Sequence, residues 1–228
     1  GVLLSHGNLV SNVLAVVAYL RLTPSDRILH VLPFHYSYGN SVLHTHLAAG
    51  ATVIIEPGFA YPHRILERMA AEGATGFSGV PATYALLLSR TRLDRYPLAS
   101  LRYLTQAGGA MAAADILRVR EQLPQAAFFV MYGQTEACSR LTYLPPERLL
   151  DKLGSVGRPI ADTELRVVDA AGQPLAPNRI GHVCVRGPGV MLGYWNDPGA
   201  TRQVLRDGWL WTGDLGRLDE EGFLYLHG

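Results

Sequence analysis

Lysine is almost missing from this sequence. Among its 228 residues Lys152 is the only lysine, and nearly all the positive charge is arginine. Phosphate chemistry that needs a lysine has one candidate, and it lies in ERLLDKLGSVG, apart from the motifs described below. Cysteine is also scarce. Cys138 and Cys184 stand far apart, fit no metal-ligand spacing and do not suggest the disulfide scaffold of a secreted domain. A reducing, cytoplasmic setting is therefore expected. The formal net charge of +1 gives no sign of a nucleic-acid binder. The apolar run at residues 13–20 is too short to span a bilayer, and no signal peptide opens the chain. The histidines are scattered and no H-E-x-x-H occurs, which disfavours zinc.

With 48% hydrophobic and 17% charged residues, the chain can build one large domain or two small ones. Helix-like and strand-like stretches alternate in the first part. Helices are predicted near residues 9–20, 38–49, 62–72, 81–89 and 112–122. The strands between them are RILHVLP, ATVIIE, TGFSGV, LRYLTQAG and AAFFVMYG. Apolar strands separated by helices imply an α/β fold, a parallel sheet covered on both faces, with ligands beyond the carboxyl ends of the strands. From about residue 153 the pattern changes. ELRVVD, IGHVCVRG, WLWTGDLGRLD and GFLYLHG read as strands, the last two as a hairpin. The expectation is an α/β subdomain over 1–152 and a smaller, β-rich, distorted barrel-like subdomain over 153–228.

Four strand endings are rich in small, polar or aromatic residues: PFHYSYG, SGVPAT, QAGGAM and MYGQTEA. In MYGQTEA, Gly133 allows close backbone approach, Tyr132 offers a ring for stacking and Thr135 a hydroxyl for a phosphate. Glu136 offers a hard oxygen to magnesium, which takes one or two carboxylates alongside phosphates. A helix cap by Thr135 and Glu136 explains the stretch about equally well. The glycines of QAGGAM leave room for a planar ligand, or make an ordinary tight turn. Asp214 in WTGDL can accept from both hydroxyls of a ribose, or simply end a hairpin.

Taken together, MYGQTEA and the block GPGVMLGYWNDPGATRQVLRDGWLWTGD…GFLYLHG resemble the adenylate-forming superfamily of acyl- and aryl-CoA synthetases, firefly luciferase and peptide-synthetase adenylation domains. The resemblance covers essentially the whole chain. It implies that Gly109 and Ala110, with Tyr132 and Gly133, line the adenine slot, and that Gln134 also belongs to the nucleotide site. Thr135 then touches the α-phosphate, Glu136 helps hold Mg2+, and Asp214 binds the ribose. It also implies ATP-dependent activation of a small carboxylic acid to an acyl-adenylate, then transfer to the thiol of CoA or of a carrier-protein phosphopantetheine. The superfamily's phosphate loop ends in Pro-Lys-Gly, and GVLLSH resembles the segment immediately after that lysine. The small carboxyl-terminal domain, with its catalytic lysine, has no counterpart in the sequence either. An internal piece of a longer enzyme, inactive alone, is the expectation.

PFHYSYG lacks the aspartate that amino-acid-activating relatives carry for the substrate ammonium, which disfavours an α-amino acid. By resemblance His35 is the gate of the acyl pocket; a histidine packed at a strand end is the plainer account. The pocket wall is expected to include Tyr36, Val80, Ala107, Gly108 and Gln134, with room for a fatty or aromatic acid. GFSGV fails G-x-S-x-G, and GPGVMLG is one residue too long for G-x-G-x-x-G, so a serine hydrolase and a dinucleotide oxidoreductase are disfavoured. A nucleotide-binding piece without turnover remains the non-enzyme alternative.

Overall fold

The computed structural model describes residues 1–227. By contacts the chain forms two compact units, Val16–Val130 and the pair of segments Gly1–Ala15 with Met131–Gly228. This cut differs from the change of character read near residue 153, because the chain from Met131 onward packs with the β-rich part.

The continuous unit is α/β. Its strands lie side by side in the order Thr52–Ile55, Arg27–His30, Gly76–Gly79, Tyr103–Gln106 and Ala127–Tyr132, all parallel. Gly76–Gly79 and Tyr103–Gln106 are buried at every position, as strands covered on both faces should be. The helices Ser37–Ala48, Pro62–Ala71, Pro81–Arg90 and Ala113–Gln122 fall where the sequence predicts them. Proline at the first turn of two of them loses no hydrogen bond there.

The register pairs Gly79 with Gln106 and Gln106 with Val130, so the carboxyl ends of these strands share an edge. Beneath it lies a buried hydroxyl cluster. Thr105 Oγ1 is 2.8 Å from Tyr38 Oη and 2.7 Å from Ser78 Oγ, and its carbonyl accepts from Tyr84 Oη at 2.9 Å. The cluster ties helices Ser37–Ala48 and Pro81–Arg90 to the central strand, and burial raises the Tyr84 pKa well above its ordinary value.

The other end of the sheet is fixed by Asp26, which is 2% exposed. Arg102 Nη2 donates to Asp26 Oδ2 at 2.8 Å, Thr75 Oγ1 to Oδ1 at 2.7 Å and the Thr23 amide to Oδ2 at 2.8 Å. Arg102 also donates to the carbonyls of Leu20 and Arg21, at the end of the first helix.

The discontinuous unit is mainly antiparallel β. Its larger sheet runs Leu205–Arg206, Trp209–Leu218, Gly181–Arg186, Glu164–Val168, with Leu224–His227 also paired to Trp209–Leu218. The expected hairpin is present. A smaller ladder pairs Val2–Leu3 with Gly193–Tyr194, joining residues almost 200 positions apart. Ser5 and Asn8 bond reciprocally, amide to side chain, and start the first helix at His6 rather than near residue 9.

The segment expected to be wholly β contains a helix, Pro198–Val204. Its local signal is complete: Asp197 Oδ1 accepts from the Ala200 amide at 2.8 Å and Pro198 opens the first turn. Lys152 also finds a structural place. Its ammonium lies 2.8 Å from Asp219 Oδ2 and 2.5 Å from Glu221 Oε1, in the turn of the last hairpin, and sits over the buried Phe223 ring.

Burial alone would raise the Asp26 pKa; hydrogen bonds from Thr75, Arg102 and the Thr23 amide outweigh it and hold the carboxylate below its ordinary range. Its contribution to stability is therefore complete above about pH 4 and fades as pH falls through the lower folded value. Asp26→Asn is expected to lower unfolding free energy near pH 7 by on the order of 1–3 kcal/mol. The difference from wild type should shrink in urea titrations repeated toward pH 3. A constant difference at all pH values would contradict this.

Candidate functional site

The strand Ala127–Tyr132 ends in the loop GQTEACSR. This loop is not the start of a helix, so the helix-cap account of Thr135 and Glu136 does not hold. Thr135–Ala137 is a single 3₁₀ turn, closed by Cys138 and Ser139, both left-handed at φ 54° and 76°. Two successive non-glycine residues in that region are held there by their surroundings. The Gln134 carbonyl accepts from the amides of Ala137 and Ser139, at 3.0 and 2.9 Å, and the Leu141 amide returns to the Tyr132 carbonyl at 2.9 Å. At the end of the loop, Arg140 is fully buried; its Nη1 donates to Met131 Sδ, and its carbonyl accepts from Asn12 Nδ2 at 2.7 Å.

Tyr132 is 8% exposed and belongs to the core cluster of Val167, Val183, Val185, Met191 and Leu210. Much of its ring is therefore packing, and its hydroxyl is the polar part. That hydroxyl donates to Asp214 Oδ2 at 2.6 Å. Burial, followed by the Asp214 carboxylate, raises the Tyr132 pKa, so the phenol stays a donor.

Asp214 is exposed, on a β-bulge. Opposite the strand Gly181–Arg186, the register steps from Trp211 facing Cys184 to Leu215 facing His182, so residues 212–214 stand against a single residue. Such a bulge re-aims side chains. Thr212 Oγ1 secures it, donating to the Val183 carbonyl at 3.0 Å and accepting from the Asp214 amide at 3.2 Å. The bulge follows no turn signal, so its position was not legible in WTGDL.

Thr135 is exposed and Glu136 half-buried. Glu136 Oε1 accepts from Tyr194 Oη at 2.8 Å, and the Glu136 carbonyl accepts from the Met191 amide at 2.8 Å. Sequence reasoning assigned Tyr194 nothing, although GYW lies in the motif block. Among the described residues no group of three or more His, Cys, Asp or Glu gathers to cage an ion. A lone, partly solvated carboxylate fits magnesium, which binds through few protein ligands and substrate phosphates.

The remaining predicted residues lie in the α/β unit. His35 and Tyr36 are exposed, with ring centroids 4.4 Å apart. They sit on the tight PFHYSYG turn, where a Cβ at Gly39 would collide with the Pro33 carbonyl. Ala107 is buried, while Gly108, Gly109 and Ala110 are exposed. Gly108 has φ +82°, which favours glycine, and faces Val80. The Gly109 carbonyl accepts from Gln106 Nε2 at 2.7 Å, which fixes the turn.

Residues 1–195 match the family model for AMP-binding enzyme. The chain belongs to the AMP-binding enzyme family. It is 36% identical to an indoleacetate–CoA ligase of Aromatoleum aromaticum, across 100% of this chain and 44% of that protein. It is similar in structure to o-succinylbenzoate CoA synthetase of Bacillus subtilis bound with a product analogue, at TM-score 0.92 and 34% identity, over 100% of this chain and 46% of the other. The same synthetase in complex with ATP and magnesium ion matches at TM-score 0.90 and 34% identity, over 99% and 46%. The chain thus spans about half the length of the curated relatives it matches.

Gly133 has a structural duty that the sequence did not disclose. A Cβ there would fall well inside contact distance of the Ser139 carbonyl and the Arg140 amide. Close approach by its own backbone, before any ligand arrives, already demands glycine. Gly133→Ala is expected to destabilise the protein without nucleotide present, by roughly 1–3 kcal/mol, as a forced overpacking does. Thermal unfolding of the nucleotide-free variant at the wild-type temperature would contradict this account.

Proposed function

We propose that the polypeptide containing this chain uses ATP and Mg2+ to activate a small carboxylic acid, fatty or aryl, and passes the acyl group to CoA. A carboxylate is a poor electrophile. Its oxygen attacks the α-phosphorus, the bond to pyrophosphate breaks, and the acyl-adenylate now carries AMP as a good leaving group. The CoA sulfur then attacks the acyl carbon and AMP departs. CoA is preferred over a carrier-protein phosphopantetheine because the matched relatives are named as CoA ligases. ATP and CoA chemistry suits the cytoplasm. A small acid is the expected partner, and no described helix is long and apolar enough to cross a membrane.

The observation that carries this reading is the 2.6 Å bond from Tyr132 to Asp214. It occupies part of one carboxylate oxygen and leaves further acceptor sites toward solvent, suited to the two hydroxyls of a ribose. In the same unit, Gly133, Gln134 and Thr135 offer backbone and side-chain groups to the nucleotide. Mg2+, held by Glu136 and the phosphates, would offset negative charge that builds at the α-phosphate. In the α/β unit, Gly109 and Ala110 are assigned to the adenine. His35, Tyr36, Val80, Ala107 and Gly108 are assigned to the acyl group. Thr135, Glu136 and His35 are the residues assigned to the reaction itself. The named acids of the relatives, indoleacetate and o-succinylbenzoate, support an aryl acid.

The test is pyrophosphate release by the whole natural polypeptide with ATP, magnesium and a panel of fatty, aryl and amino acids, with and without CoA. Acid-dependent release, with thioester only when CoA is added, is expected. Release that ignores the acid would sink the reading. Asp214→Ala should weaken ATP binding by on the order of 1–3 kcal/mol, the worth of hydrogen bonds to a charged group. Wild-type affinity would remove Asp214 from the ribose.

A further inference from the structure

Glu136 is gripped by a bracket that the reading above does not use. The segment from Met191 to Thr201 meets it twice, through the Met191 amide and through the Tyr194 hydroxyl. Tyr194 is itself held at several points. Its backbone pairs with Val2, and its amide donates to Thr201 Oγ1 at 2.9 Å. Thr201 Oγ1 donates in turn to the Asp197 carbonyl at 2.8 Å, inside the capped first turn of the helix Pro198–Val204. The preceding residue is Gly193 at φ +150°, where a Cβ would fall 2.8 Å from Thr201 Cγ2. A helix cap, a glycine and a ladder thus converge to set one phenol.

We propose that Tyr194 is a positioning residue for the metal step: its hydroxyl holds Glu136 Oε1 so that the carboxylate's remaining acceptor capacity is presented to the magnesium of bound MgATP. The inference rests on Glu136 being the magnesium ligand. Two physical points support it. An unanchored glutamate has three rotors to freeze when it binds a metal, and a side chain frozen beforehand has already met that cost. A phenol is also a neutral donor. A guanidinium in its place would orient Glu136 equally well but would compete with the cation for the same charge. Outer partners of this kind typically alter metal affinity by about 10–100-fold.

The experiment measures ATP binding to the whole natural polypeptide by calorimetry, in magnesium and in EDTA, for wild type, Tyr194→Phe, Glu136→Gln and the double variant. Glu136→Gln should lose most of the magnesium-dependent gain in affinity. Tyr194→Phe should lose roughly tenfold of it, with affinity in EDTA unchanged, and the double variant should bind no more weakly than Glu136→Gln. If Glu136→Gln loses the gain while Tyr194→Phe keeps it, the positioning role is refuted and the Glu136 assignment stands. If Glu136→Gln keeps the gain, the Glu136 assignment fails and the inference falls with it. Equal weakening of Tyr194→Phe in magnesium and EDTA marks a structural pin and also refutes the role. Should Tyr194→Phe not fold, Thr201→Ala, which loosens the bracket and leaves the phenol, is held to the same pattern.

Discussion

One short hydrogen bond, Tyr132 to Asp214, organises the candidate site of the discontinuous unit. Its donor stands at the last position of a buried strand and its acceptor on a bulge 82 residues later. Packing fixes the first: the Tyr132 ring is locked among Val167, Val183, Val185 and Leu210. Backbone geometry fixes the second, since Thr212 ties the bulge to Val183. An aspartate free on a surface strand would sample many orientations. Here it is presented in one, by a residue that cannot move without opening the core. Glu136 is treated the same way, with Tyr194 as its phenol. The site uses tyrosine hydroxyls to aim carboxylates, which leaves the negative charge available for chemistry.

Much of the α/β part was legible because its signals are local. ATVIIE is β-branched and apolar, Pro62 and Pro81 mark helix starts, and every predicted helix and strand of that unit appears within a few residues of its expected place. The β-rich part was less legible. Its strands were visible, but the helix Pro198–Val204 was missed although Asp197 and Pro198 announce it, because the surrounding motif block was read as uniformly β. Ladders such as Val2–Leu3 with Gly193–Tyr194 have no local signature, since their stability lies in a partner almost 200 residues distant.

At the candidate site the residue types were legible and several of their duties were not. Gly133 suggests room for a ligand, yet the Ser139 carbonyl claims that room first. Tyr132 suggests an exposed stacking face, yet most of its surface is core. Tyr194 gave no sequence signal of its own, because a hydroxyl donor to a carboxylate 58 positions away depends on the fold. Lys152 shows the converse. Its rarity invites a catalytic role, but Asp219, Glu221 and Phe223 surround it and give it a structural one.

The two compact units differ in how they use the chain, and this matters during synthesis. Val16–Val130 is one uninterrupted stretch whose internal contacts need no residue beyond 130. The other unit is interrupted: Val2 and Leu3 wait for Gly193 and Tyr194. Until then the strand Val2–Leu3 has no ladder partner. Translation therefore imposes an order in which residues 16–130 can mature before Val2 and Leu3 are paired. The waiting strand Val2–Leu3 is exposed to aggregation or chaperone capture while that delay lasts.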